Sequence, residues 1–253
     1  MGTKTMRAIY ILCIRQLKRY SRSPARIVGS LGQPIVFLLA LGFGFGATFA
    51  RAGAGNYFNF VTPGIVAMGI LFTAVFSGIE IIWDRQFGFL KETLVAPVSR
   101  LQIVLGRVLG GAIVAMIQGA VVLLVCLAFG FRIGSWLLLP LAIVFMFLIS
   151  LLFTSIGTAI GSVLQDMQGF PLVMNFLVMP LFFFSDALFP MNGLPKVLML
   201  ALRLNPLTYG VDGLRGALGH TFAFNVVTDF AVLLVASSIL LSIGSYLFSK
   251  IQL

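Results

Sequence analysis

Six apolar runs, each about as long as a bilayer is thick, leave this chain few folds to choose from. They occupy approximately residues 27–49, 58–82, 103–129, 136–163, 170–189 and 226–248. A helix needs about 20 residues to cross a hydrocarbon core of about 30 Å, and each run meets that length. The runs are continuous rather than divided into strands of about ten alternating residues, so the pattern predicts helices and not a β-barrel. Only 9% of residues are charged while 60% are hydrophobic, more apolar surface than a water-soluble globule can hide. The expected fold is an all-α integral membrane protein: one domain over 1–253, six transmembrane helices, no internal repeat and no linker.

Charge sets the expected orientation. Lys4, Arg7, Arg15, Lys18, Arg19, Arg22 and Arg26 precede the first run, Arg85, Lys91, Arg100 and Arg107 follow the second, and Lys250 closes the chain. Arg51, Arg132, Lys196, Arg203 and Arg215 fall on the other side. The positive-inside bias then places both termini in the cytoplasm, with the protein in the cell membrane. These charges flank apolar runs, which suits anionic lipid and not nucleic acid. A cleaved signal peptide is rejected, because the charged lead-in is too long and the first run exceeds an h-region of about 7–15 residues. Cys13 and Cys126 fall on opposite sides of the membrane, so no disulfide is expected. One histidine, His220, excludes a two-histidine site and reads as structural.

Residues 1–26 carry an amphipathic helix. Met6, Ile9, Tyr10, Cys13, Leu17 and Tyr20 form an apolar stripe opposite the basic residues, with Ile11 the misfit. A basic helix of this kind lies in the membrane interface, whether as a plain anchor or with a further role.

Two stretches outside the runs hold most of the functional signal. Residues 83–100 begin Trp83-Asp84-Arg85-Gln86-Phe87-Gly88-Phe89-Leu90-Lys91-Glu92. Phe87, Leu90 and Leu94 share a helical face, Arg85 and Glu92 point away from it, and Pro97 stops the helix. This reads as a short cytoplasmic helix, either an interfacial linker or a docking element for a partner. Beyond the fifth run, Asn205 is a good N-cap and Pro206 suits the first helical position. Asp212 and Arg215 are spaced to pair on a helix surface. Residues 194–204 are too few to span and too apolar for a free loop, so two short re-entrant helices, about 194–204 and 206–218, are expected at the outer face.

The stretch ending Val95-Ala96-Pro97-Val98-Ser99-Arg100 and the segment Asn205-Pro206-Leu207-Thr208-Tyr209…Asp212…Arg215 resemble those of type-2 ABC transporter permeases. The chain is most similar to the daunorubicin-resistance and nodulation-factor exporter group, over essentially its whole length. The resemblance implies a homodimeric permease with two ATPase subunits, which bind ATP and Mg²⁺ in place of this chain. It implies that about 84–96 is the coupling helix, through Asp84, Arg85, Phe87, Gly88, Leu90, Lys91, Glu92 and Leu94. It also implies that the re-entrant motif of Asn205, Pro206, Tyr209, Asp212 and Arg215 caps the outer end of the path. Asp186 departs from the family pattern, which commonly has a small residue there. The sequence contains no G-x-x-x-x-G-K-[ST] phosphate loop, H-E-x-x-H or G-x-S-x-G. No catalytic residue, bound cofactor or metal is therefore expected in this chain.

Four polar residues are candidates for the path or a gate: Glu80, Gln118, Asn175 and Asp186, since ionisable and polar groups in lipid are costly. Glu80 reads first as an interfacial acid paired with a nearby basic residue such as Arg85 or Arg107 and second as a gate, and Gln118 and Asn175 read first as interhelical hydrogen-bonding groups and second as path lining. Phe182, Phe183 and Phe184, with Met174, Met179 and Met191, are either packing residues or a soft surface for greasy cargo. The expected function is export of a hydrophobic or amphipathic substrate such as a drug, lipid or lipid-linked glycan. The alternative is a secondary transporter or channel, which would show inverted repeats or broken midplane helices; an intramembrane enzyme lacks a nucleophile–base or metal constellation.

Overall fold

A computed structural model describes residues 2–51, 57–91, 98–190, 195–219 and 222–251. The expectations at Glu92, Leu94, Met191, Leu194 and His220 lie outside the described residues. Every regular element described is helical: α1 (Gly2–Ser21), α2 (Pro24–Arg51), α3 (Tyr57–Phe76), α4 (Ile79–Gln86), α5 (Arg100–Ala128), α6 (Leu139–Val163), α7 (Gly169–Phe183), α8 (Lys196–Leu204), α9 (Pro206–Gly219) and α10 (Val226–Ser249).

Among the described residues, five segments are long and apolar enough to cross a membrane: Pro24–Gly46, Tyr57–Gln86, Arg100–Ala128, Trp136–Val163 and Val226–Ser249. Residues 170–189 differ from the sequence reading. The helix ends at Phe183, passes through a π turn at Met174–Val178, and gives way to Asp186 at φ +57°. Pro180 supplies no N–H to the turn before it, so the ladder widens there and the run does not continue as one straight helix.

Helix α3 is the centre of the bundle. It is apolar on all sides and touches α2, α5, α6 and α9. Of its apolar window 78% is buried, against 11% for α2 and 17% for α10, which therefore stand at the periphery. Without water to drive helix association, close backbone approach does that work. At Gly78, Gly157 and Gly161 the α3–α4 junction lies directly on α6, and a Cβ at any of them would overlap a backbone carbonyl of the facing helix. Hydroxyls in this apolar interior bond back into their own helices: Ser150 donates to the Met146 carbonyl (2.7 Å) and Ser162 to that of Thr158 (2.7 Å).

Helix α1 exists as the amphipathic pattern predicts, but its buried face is only part of the predicted stripe. Ile9 and Leu12 meet α5 at Gly106, Cys13 and Gln16 meet it at Gly110, and the Tyr20 hydroxyl donates to Gln118. The two helices thus run the same way, side by side. Met6 and Tyr10, on the predicted stripe, are exposed.

The segment after α3 also differs from expectation. Asp84 and Arg85 do not open a new helix, and the expected course beyond Lys91 lies outside the described residues. They close α4, whose end is set by Gly88 at φ +81°, a left-handed position that stops a helix. The chain turns helical again at 89–91. Leu90 is fully buried among Ile81, Ile103, Val104 and Phe248, whereas Phe87 is 70% and Phe89 53% exposed. Phe87 and Leu90 therefore do not share a face, because the Gly88 break rotates one away from the other.

Candidate functional site

Two ionic centres lie at opposite ends of the bundle. At the end holding the N-terminus, Glu80 and Asp84 stand one turn apart on α4, both buried, and face arginines from three other helices. Arg26 of α2 donates to Glu80 (2.8 Å), with Arg19 of α1 at 3.6 Å from the same carboxylate. Asp84 receives Arg107 of α5 and Arg15 of α1 (3.2 Å). Arg107 and Asp84 are both shielded from solvent, so their attraction is screened little; Arg15 is half-exposed and contributes less. Four arginines meet two carboxylates, and the junction joins α1, α2, α4 and α5.

The partners differ from those expected of Glu80. Arg85 lies five residues on, about 140° round the helix from Glu80. It turns instead to the C-terminal end of α6, donating to the carbonyls of Ser162 (2.9 Å) and Leu164 (3.1 Å). Arg107 is taken by Asp84. Arg100 caps α10 in the same manner, through the carbonyls of Ser249 (2.8 Å) and Ile251 (2.9 Å). A cation at a helix C-terminus satisfies carbonyls that the helix leaves unbonded. The sequence marks Arg15, Arg19 and Arg26 only as anchoring charge. The spacing that could have revealed them is Arg15 and Arg19 four apart, matching Glu80 and Asp84 four apart.

Gln118 is fully buried and accepts from Tyr20. Burial pushes the Tyr20 hydroxyl up, with Arg26 pulling it partly back, so it remains a protonated donor. Gln118 Nε2 has no hydrogen-bond partner among the described residues. Asn175 is exposed on the π turn, and of the phenylalanine series Phe182 is buried while Phe183 and Phe184 are half-exposed.

The far end is built around α8 and α9, which meet at Asn205. The Asn205 side chain accepts from the Leu207 N–H (3.0 Å), the N-cap expected, and donates to the carbonyls of Leu181 and Phe184 (both 2.6 Å). It thereby ties α9 to the irregular end of α7. Pro206 opens α9, and the Tyr209 hydroxyl donates to the Arg203 carbonyl (2.9 Å) while its ring packs on Phe224. Asp212 and Arg215 do not pair. Helix α9 is enclosed almost all round, and each finds a nearer partner outside it. Asp212 accepts from the backbone N–H groups of Ala223 (2.8 Å) and Phe224 (2.8 Å). Arg215 donates to the Asp186 carboxylate (2.6 Å) and the Asp186 carbonyl (2.7 Å), with its guanidinium 4.1 Å from the Phe60 ring centroid. Asp186, the departure from the family pattern, is thus one half of a buried ion pair. Asp229, unassigned from sequence, is buried with its carboxyl facing Asp212, and neither of its oxygens has a hydrogen-bond donor among the described residues.

The described residues thus form a helical bundle with several candidate membrane spans and buried ionic contacts at each end. The chain belongs to the ABC-2 type transporter family, whose model matches residues 7–219. It is 32% identical over 199 residues to nodulation protein J of Rhizobium leguminosarum bv. trifolii, covering 78% of this chain and 75% of that protein. It is 27% identical over 263 residues to the ycf38 transport permease of Cyanophora paradoxa, covering 96% of this chain and 88% of the relative. The Pyropia yezoensis ycf38 permease is 30% identical over 223 residues, 82% of this chain and 72% of its own length.

Proposed function

We propose that this chain is the membrane-spanning subunit of an ATP-driven exporter that moves a hydrophobic or amphipathic substrate. Two copies act with two separate ATPase subunits that hold ATP and Mg²⁺. The end bearing α1 and the arginine–carboxylate cluster faces the cytoplasm, which places both termini there and α1 along that leaflet. Residues 169–189 form the sixth crossing, with α8 and α9 re-entering from the outer side. The observation carrying this reading is the family match, which spans α1, the basic cluster and the α8–α9 motif together. The basic excess at one end agrees with it.

Within this reading the ATPase docks on the stretch around residues 87–91. Phe87, Phe89 and Lys91 present the exposed surface there. Asp84, Arg85 and Leu90 hold that surface in place from within the permease. The test is co-purification of the ATPase with Phe87→Asp, Phe89→Asp and Lys91→Glu combined. Loss of the ATPase from a permease that still folds supports the docking surface. Full assembly with unchanged ATPase activity rejects it.

A further inference from the structure

A cavity of about 680 Å³ opens between the C-terminal end of α1, the first half of α2 and the α3–α4 junction. That volume lies in the range of ligand pockets, about 300–1,000 Å³. Its lining combines two chemistries: Arg19 and Arg26 on the one hand, and Phe72, Phe76 and Trp83 on the other, with the Arg19 guanidinium 5.6 Å from the Trp83 ring centroid. Glu80 is nearly inaccessible, but the Arg19 and Arg26 side chains keep 37% and 31% exposure. Together with Arg15 and Arg107 they set four arginines against the carboxylates of Glu80 and Asp84, an excess of two positive charges. Thr73 also lines the cavity, and its buried Oγ1 has no hydrogen-bond partner among the described residues. Surplus cationic charge beside an apolar wall favours one kind of molecule, an anion with a greasy tail, because each half finds its complement.

We propose that this cavity binds an amphiphile with an anionic, phosphate-class head and an apolar tail, drawn from the leaflet beside the basic end. The head sits on Arg19 and Arg26, and the tail lies against Phe72, Phe76 and Trp83. The use of the site for cargo entry rests on the exporter reading above; the binding itself does not.

The test uses the full chain in phosphatidylcholine nanodiscs. The chain has 2 tryptophans, so Trp136→Phe leaves Trp83 as the only one. Dodecyl phosphate brominated on its chain is titrated against an equally brominated, uncharged alkyl glycoside, and quenching of Trp83 is read. The phosphate should reach half-quenching at about a tenfold lower mole fraction, and Arg19→Gln with Arg26→Gln should abolish that preference. Gly29, on the cavity wall, has open space where a Cβ would stand. Gly29→Leu therefore fills the cavity without altering any charge and should weaken both probes, which decides the matter if the arginine variant does not fold. Equal quenching by the two probes, a preference that survives the arginine substitutions, or no effect of Gly29→Leu overturns the proposal. Displacement by tail-free inorganic phosphate at similar concentration overturns it as well. With the ATPase added, release of the probe on ATP hydrolysis identifies cargo, and retention identifies a resident bilayer lipid held by the same head-group chemistry. Failure of the ATPase to assemble would count against the exporter reading alone.

Discussion

Replacing Asp186 by alanine should destabilise the protein by about 3–4 kcal/mol. Breaking a buried ion pair by removing one partner typically costs about 3–5 kcal/mol, because the other charge is left without compensation. Here both side chains are at least nine-tenths buried, so solvent screening offers little relief. Part of the Arg215 environment survives: its bond to the residue 186 carbonyl is a backbone contact, and the Phe60 ring still lies under the guanidinium. These hold the loss toward the lower end of the range. A second contribution is conformational. Asp186 sits at φ +57°, a region that aspartate and asparagine tolerate better than alanine and glycine adopts freely. The order of stability should therefore be Asn above Gly above Ala at position 186, with glycine about 1 kcal/mol better than alanine.

The assay is reversible unfolding in mixed micelles, with Arg215→Met and the double variant completing a mutant cycle. Because both charges leave together, the double variant should recover about 2 kcal/mol of the summed single losses. If the losses add to within about 0.5 kcal/mol, the two residues are not coupled and the ion-pair argument fails. An alanine variant as stable as the glycine variant would separately refute the backbone argument.

Asp229→Asn should stabilise the protein by about 1–2 kcal/mol, since it replaces one of two facing buried carboxyls with a group that can donate to Asp212; a lowered melting temperature would contradict this. Asp212→Asn should do the reverse, weakening the charge-assisted bonds from the Ala223 and Phe224 N–H groups, and thermal unfolding of the two variants gives the contrast directly. Gly157→Ala should cost at least about 2 kcal/mol by forcing α6 off the α3–α4 junction, whereas Gly32→Ala, with open space around it, should be neutral or mildly stabilising, as read by detergent-solubilised yield and melting temperature. Tyr20→Phe removes the donor to Gln118 and should lower stability by about 1 kcal/mol, with no further loss when Gln118→Leu is added; additional destabilisation in the double variant would show that Gln118 has another role.

The apolar runs made the helices legible because a crossing segment has one requirement, length of greasy sequence, that sequence states outright. Asn205 was legible for the same kind of reason: a cap acts on the next two residues, so its partner is local. The ion partners were not, since each is settled by which helix lies opposite. Asp212 and Arg215 have the spacing of a surface pair, and that spacing governs only when the helix faces solvent. Enclosed on several sides, α9 offers Arg215 the Asp186 carboxylate and carbonyl together, and offers Asp212 two backbone N–H groups. The same holds for Glu80, whose partners Arg19 and Arg26 lie far back in the chain.

The α4 boundary shows the remaining gap between local pattern and packing. Residues 83–90 read as the opening of a new amphipathic helix, because Ile82 ends an apolar run and Asp84 begins a charged one. The physical break comes earlier, at Ser77–Gly78, where α6 approaches through Gly157 and Gly161 too closely for any side chain. Hydropathy does not register that contact, because glycine is as unremarkable to a hydropathy scale as it is decisive for backbone approach. Once α4 begins at Ile79, Glu80 and Asp84 fall on a single face toward α1, α2 and α5, and the exposed pair Phe87 and Phe89 is carried at its end. The surface proposed to meet the ATPase and the cluster proposed to hold an anionic head are thus two ends of one short helix, fixed by where three glycines let it bend.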